Sequence, residues 1–382
     1  MLTPVRRVKM EPANKRITGF DSLRFFMVFL VIALHSAMTY MEYAPSWWYV
    51  LDENRSIWFA FLVVFLDSFP MTALFFLAGY FAYPSINKRG KYLFIKDKLL
   101  RIGVPWALGV IFVAPFTAHA TAVALGFPPP DIYTFVTSYF WGPFYQQGHY
   151  WFLGVLFFFL TVFAVVARVG TAVKPKPCSN PRSLLAGLLF VSVLTYYLSG
   201  RYVMPAVDWM KVGYILYFQP ARFVGYVGIF ALGCYAWRNG WFTEAGWSPP
   251  LYLWVMISAI SGMLLVMFKF FLAPERGVLF DLVSETLMYN ITAVSTTLFL
   301  LALFLKIQRP LHNLTKHFER DSYGIYWLHM IVLMPLLFLL KPLAIPISLK
   351  WALSLPVTVV ICTAILRLSD GCVRILGRNA DK

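Results

Sequence analysis

Arg24 and His35 lie eleven positions apart in the first long apolar stretch, ITGFDSLRFFMVFLVIALHSAMTY. At ~100° per residue, eleven steps bring a helix to within ~20° of its start, so both side chains share one face, about 16 Å apart along the axis. A cation and an imidazole on one face of an apolar helix are costly to place in lipid and mark a functional site by default. Imidazole titrates near neutrality and can accept a proton from a hydroxyl. A guanidinium presents a fork of donors suited to phosphate. The plainer alternatives are a histidine bonding a neighbouring helix and an arginine snorkelling to headgroups.

Other polar groups sit in apolar surroundings. Lys98 and Arg101 in IKDKLLRIGVPW are three apart at a helix start. With Arg24 they would line a mouth suited to an anionic carrier, although ordinary loop charge gives the same pattern. GHYWFLGVLFFF places His149 at the lip of a later span beside Trp151. In DSYGIYWLH, Ser322, Tyr326 and His329 are spaced four and three, which makes one polar face. Arg222, in FQPARFVGYVGIFALG, is deep enough to hold either an anion or a buried carboxylate. Asp67 and Ser68 precede Pro70, and the following FFLAGYF reads as a packing surface with Ala78 and Gly79 as its small residues. There is no P-loop, no metal-ligand cluster and no G-x-S-x-G elbow, so the chemistry rests on histidines, hydroxyls and cations.

The elements that must position these groups follow from composition. Of 382 residues, 60% are hydrophobic and only 13% charged, against about 25% charged in soluble domains. Apolar runs near bilayer-spanning length predict ten spans, near 22–43, 58–83, 100–119, 150–168, 183–199, 215–237, 250–271, 285–305, 322–340 and 350–367. Backbone groups in lipid must pair within their own segment, which makes the fold all-α, a polytopic membrane helical bundle. The net charge of +16 is not one basic face, which argues against nucleic acid as a partner. Its cations fall in the tail before the first span, in alternate loops such as Lys88–Arg101 and Lys306–Arg320, and after the last span, whereas 119–149 has none. Both termini are therefore expected in the cytoplasm. The expected organisation is a basic tail over 1–21, a single membrane domain over 22–367 and a second basic tail over 368–382. The first span is long, carries Arg24 and lacks a small-residue cleavage site, so it is expected to be retained. The four cysteines show neither pairing nor metal spacing.

Taken together, the segments resemble the acyltransferase type 3 family of integral membrane O-acyltransferases. The resemblance rests on Arg24 and His35 at the family's spacing and on FFLAGYF from Phe75 to Phe81. It also rests on Lys98 and Arg101 at the R-x-x-R element, on His149 to Leu153, and on Ser322 to His329, all in family order. FDSLRFFMVFL, SFPMTALFFLAGYF and RIGVPW look closest to the branch that modifies periplasmic glucans, including glucan succinyltransferases. Lys98 replaces an arginine of the family pattern, and Ala78 stands where many relatives have serine. No hydrolase-like domain is expected at the carboxyl end.

The resemblance implies an enzyme of a bacterial cytoplasmic (inner) membrane. It would move an acetyl or succinyl group from cytoplasmic acyl-coenzyme A to a hydroxyl of an extracytoplasmic glycan, without a metal. Arg24, Lys98, Arg101 and Arg222 would be the donor-binding cations. His35 would be the general base, and His149, Tyr326, His329 and Ser322 would orient the reactants or carry a covalent acyl group. The lipid bilayer, acyl-coenzyme A and glycan are the expected partners, with the oligomeric state open. The alternative is a transporter exporting an anionic or acylated glycan precursor, since intramembrane Arg and His also mark substrate pathways.

Overall fold

A computed structural model of the protein describes residues 17–127, 131–167, 181–243, 246–272 and 278–380. The cations of the tail before residue 17, Arg168, Lys174, Lys176 and Cys178 lie outside the described residues. In chain order the main helices are α1 (Thr18–Met38), α2 (Ile57–Ser68), α3 (Pro70–Arg89), α4 (Lys91–Lys98), α5 (Val104–Phe112) and α6 (Ala114–Ala124). They continue with α7 (Trp151–Val166), α8 (Arg182–Tyr202), α9 (Pro220–Arg238), α10 (Leu251–Met267) and α11 (Val278–Lys306). The last are α12 (Gln308–Glu319), α13 (Ser322–Leu340) and α14 (Ile347–Ala380). A small antiparallel hairpin, β1 (Met210–Val212) with β2 (Leu216–Phe218), joins α8 to α9 and pairs Lys211 with Tyr217.

The architecture is an all-α polytopic bundle. Among the described residues, eight helices are long and apolar enough to cross a membrane, and nine if the bent segment Lys91–Phe112 plus Ala114–Ala124 is one span. Of the ten spans expected, the one near 215–237 is present as the 19-residue α9, but it falls outside that set. The reason is composition: Arg222, Arg238 and three glycines lower the hydropathy of α9, which packs against α3 and α8.

Prolines set the breaks. The stretch read as one span at 58–83 is interrupted at Phe69, and Pro70 restarts it as the first residue of α3, where a missing N–H costs nothing. Residues Leu99–Gly103 form a π-helical turn in which the Val104 N–H bonds to the Leu99 carbonyl, immediately before Pro105. Pro115 follows the 40° bend between α5 and α6. At the other extreme, α14 runs on as helix to Ala380, through the segment expected as a separate tail from 368.

Close helix contact is concentrated where glycine permits it. A Cβ on Gly79 would collide with the Phe230 carbonyl, and one on Gly233 with the Phe76 carbonyl, so α3 and α9 touch backbone to backbone. FFLAGYF thus packs as its small residues suggest. Helix α1 runs through the core, with Phe20, Leu23, Met27, Ile32 and Ala37 buried. It is pinned to α14 by Ser36 to Ser354 at 2.6 Å and by the Trp351 indole donating to the Ala33 carbonyl at 3.0 Å.

The connections sort to two ends. At one end, Arg89 meets Asp97, Lys91 donates to the Val165 carbonyl, Ser22 donates to Glu319, and Arg367 donates to the His317 carbonyl. This end carries most of the described loop cations. At the other, Thr121 donates to the Trp47 carbonyl, Tyr145 to the Tyr214 carbonyl, and Lys350 forms a 2.7 Å ion pair with Asp52 in which both side chains are buried.

Candidate active site

Two helices and one short turn bring His35, His149 and His329 together, although they are far apart in sequence. The His35 ring lies between Trp48, 6.0 Å away, and His329, 5.2 Å away. His149 meets His329 edge to face at 4.6 Å. The His329 ring is fully buried, His149 is buried, and His35 is partly exposed to cavities. Each imidazole is tied to a carbonyl or to another imidazole, which fixes its orientation.

Those ties define the proton positions for neutral rings. A carbonyl can only accept, so His329 Nδ1 donates to the Tyr326 carbonyl at 2.5 Å. His329 Nε2 is then the lone-pair nitrogen, and it lies 3.1 Å from His35 Nδ1. His35 Nδ1 therefore carries its proton toward His329, and His35 Nε2 is left with the free lone pair. By the same reasoning His149 Nε2 donates to the Trp327 carbonyl at 3.2 Å, an acceptor it shares with the Tyr150 hydroxyl. The Tyr326 hydroxyl donates to the His149 carbonyl at 2.5 Å, closing the cluster.

Two sets of cavities approach this cluster from opposite ends of the bundle. The first, about 620 Å³, is lined by Arg24, Lys98, Arg101, Arg320, Ser322 and Tyr326 among others. The second, about 790 Å³, holds His35, His149, Asp67, Arg222, Trp209 and Tyr326. A third, about 320 Å³, shares His35, His149, Trp151 and Trp209 with the second and is walled by loop aromatics such as Trp48 and Phe144. These volumes are within the range of about 300–1,000 Å³ usual for ligand sites. Arg24 and His35 thus look into different chambers. The chambers abut where Val28 gives way to Val31 on α1 and Phe152 to Trp151 on α7, and Tyr326 lines both.

In and behind the lining of the cation-rich cavity stand groups the sequence did not point to. Asp97, flanked by the predicted Lys98 and Arg101, holds three cations: Arg89 at 2.8 Å, Arg101 at 2.9 Å and Lys98 at 3.6 Å. Arg24 pairs with Asp21 one turn earlier at 3.2 Å and lies 5.6 Å from the Phe81 ring centre. Buried Glu319 accepts from Ser22 at 2.6 Å and bonds His312 at 2.8 Å. None of these carboxylates was singled out from sequence, although Asp21 and Asp97 stand at helical pairing distance from Arg24 and Arg101; Glu319 draws Ser22 from another helix and His312 from two turns away.

Two residues lie apart from the residues they were grouped with. Arg222, grouped with the donor-binding cations, lies in the other chamber, where it pairs with Asp67 at 2.5 Å and sits 4.6 Å from the Tyr289 ring centre. Of the two alternatives left open for it, the structure holds the carboxylate. Ser322 shares a face with His329 but stands two helical turns away, about 10 Å along the axis. Its hydroxyl donates to the Glu319 carbonyl at 2.9 Å, in the cation-rich chamber. Among the described residues no group of three or more His, Cys, Asp or Glu side chains could hold a metal ion.

The polytopic bundle thus places titratable rings where two chambers meet. The family model described as an acyltransferase domain matches residues 17–367, and the chain belongs to that family, the acyltransferase type 3 proteins. It is similar to glucans biosynthesis protein C of Escherichia coli K12, at 26% identity over 140 residues. The protein of the same name from Escherichia coli O1:K1 matches to the same extent. The matched region is 36% of this chain and 35% of the relative, so the chain spans about a third of the curated relatives it matches. No solved structure matches.

Proposed function

We propose that the protein is an O-acyltransferase of a bacterial cytoplasmic membrane. It moves an acetyl or succinyl group from acyl-coenzyme A on the cytoplasmic side to a hydroxyl of a glycan on the other side. The observation that carries this reading is the pair of chemically unlike chambers meeting at Tyr326 beside the three histidines. The cation-rich chamber suits the phosphates of coenzyme A, with Arg24, Lys98 and Arg101 as their partners. That end of the bundle is cytoplasmic by its charge. The donor's thioester arm then points along α1 toward the histidines.

In this mechanism the acceptor hydroxyl meets His35 Nε2, the one ring nitrogen of the His35–His329 pair with a free lone pair. His35 takes the hydroxyl proton as the oxygen attacks the thioester carbonyl. The new C–O bond forms, the C–S bond breaks, and the proton passes to the departing thiolate, which leaves as coenzyme A. His329 keeps His35 in the productive tautomer. The second chamber holds the acceptor, as the relatives' name, which refers to glucans, supports.

The test is ester formation by purified protein in lipid nanodiscs supplied with labelled acyl-coenzyme A and a gluco-oligosaccharide. Ester that disappears in His35→Ala supports the reading. Movement of unmodified glycan across proteoliposomes without any ester would replace it with the transporter.

A further inference from the structure

The two chambers differ in charge, and that difference bears on the acceptor. The lining of the cation-rich chamber carries Arg24, Lys98, Arg101 and Arg320 with one carboxylate, Glu319, while Asp21 and Asp97, which pair with Arg24, Lys98 and Arg101, stand behind the lining. In the opposite chamber each lining cation pairs with a carboxylate of the same lining. Arg222 pairs with Asp67, and Lys269 pairs with Glu285 at 2.7 Å. Asp208 adds a third carboxylate against those two cations. An anionic ligand gains nothing there from charge, because binding it would bring a carboxylate, sulfate or phosphate beside Asp208 and already neutralised cations.

The same walls are aromatic. Trp209, just before the β1–β2 hairpin, stacks on Tyr217 of β2 with ring centres 5.1 Å apart and planes 7° apart. Its edge meets Trp151 at 5.3 Å. Trp47, Trp151, Trp209 and Tyr217 line both the larger chamber and its neighbour, and so does His35. A flat apolar platform ringed by carboxylates and amides matches a sugar ring, which presents C–H groups on its faces and hydroxyl donors around its rim. Asp67 is oriented for this: its side chain is 44% exposed while its partner Arg222 is 9% exposed, so the ion pair anchors a carboxylate that still reaches the chamber.

We infer that this chamber is a subsite for an uncharged sugar chain, with Trp209 as the stacking platform and Asp67, anchored by Arg222, as an acceptor for sugar hydroxyls. The inference rests on the acyl-transfer reading only for the role of the sugar as acceptor. The hairpin then sets specificity: it carries Tyr217 and fixes Trp209 opposite Trp151, within the chamber that holds the base.

Calorimetric titration of the full chain in lipid nanodiscs tests this, using a neutral gluco-hexasaccharide and hexagalacturonate as probes. The neutral chain is expected to bind about tenfold tighter or more than the anionic one. Trp209→Ala is expected to weaken it about tenfold, and Trp209→Phe, which keeps a ring, by under about threefold. Coenzyme A binding, measured on the same samples, stays unchanged and reports that each variant is folded. Equal or tighter binding of hexagalacturonate overturns the inference. So does wild-type affinity in Trp209→Ala, or no binding of either sugar. If the sugar results fail while ester formation persists, the subsite falls and the transferase stands. If sugar binds as expected but no ester forms, the reverse holds.

Discussion

Replacing His329 with alanine isolates the step that fixes the base. In the native arrangement the Tyr326 carbonyl orients His329, and His329 Nε2 takes the His35 Nδ1 proton at 3.1 Å. Without that acceptor, His35 loses the bond that fixes its tautomer and ring angle. Leaving a buried donor unsatisfied costs about 1–3 kcal/mol. At tenfold per 1.4 kcal/mol this predicts a fall in kcat of about 5- to 150-fold. The KM for acyl-coenzyme A stays constant, because Arg24, Lys98 and Arg101 face the other chamber. His35→Ala removes proton transfer itself and lowers kcat by about 10²- to 10⁴-fold. Because His329 acts through His35, the double variant is no slower than His35→Ala alone. His329→Gln, which supplies an amide oxygen as acceptor, recovers part of the loss. The assay is the initial rate of ester formation against donor concentration in nanodiscs. Wild-type kcat in His329→Ala, or losses that simply add in the double variant, would refute the reasoning.

Three further outcomes follow from the geometry. Arg24→Ala raises the donor KM with little change in kcat, as expected for lost uniform binding, and a changed kcat at constant KM counts against its place in the donor site. Lys350→Met strands Asp52 in a site where both side chains are buried, so thermal denaturation should show a loss of about 3–5 kcal/mol. The double variant Lys350→Met/Asp52→Leu should regain much of that loss. Gly79→Ala forces α3 from α9 at the Phe230 carbonyl, at a cost of about 1–3 kcal/mol read from the same melts, while Ala78→Ser, on the cavity side of that helix, leaves stability unchanged.

The helical bundle was legible because lipid imposes a strong rule on sequence: apolar runs of spanning length have few other uses. Gly79 was legible as packing for a related reason, since a small residue within bulky neighbours leaves room for a second backbone. The breaks were less so. Pro70 lies in a run whose hydropathy is uninterrupted, yet the helix stops at Ser68 and restarts at the proline. The π-helical turn at Leu99–Gly103 leaves no periodic trace in five residues. The spacing of Arg24 and His35 gave one helix face, but not that the two ends of that face open into separate chambers. That separation depends on Tyr326, which comes from another helix. Ion pairs were the least visible. Arg222 and Asp67 lie 155 residues apart, and Lys350 and Asp52 lie 298 apart, so no local pattern connects them. One signal was available and unused: Asp67 and Arg222 are both charged residues set within predicted spans, and two opposite charges placed in lipid tend to find each other.

Tyr326 has an electrical consequence. One side chain lines chambers that extend toward opposite ends of the bundle, so Tyr326 stands where the two meet. In the proposed reaction the bundle passes an acyl group between these chambers while holding back ions and protons, whose leak would discharge the membrane. A smaller residue there should make the bundle conductive. Planar-bilayer recordings of Tyr326→Gly beside Tyr326→Phe would register that as current in the first and silence in the second.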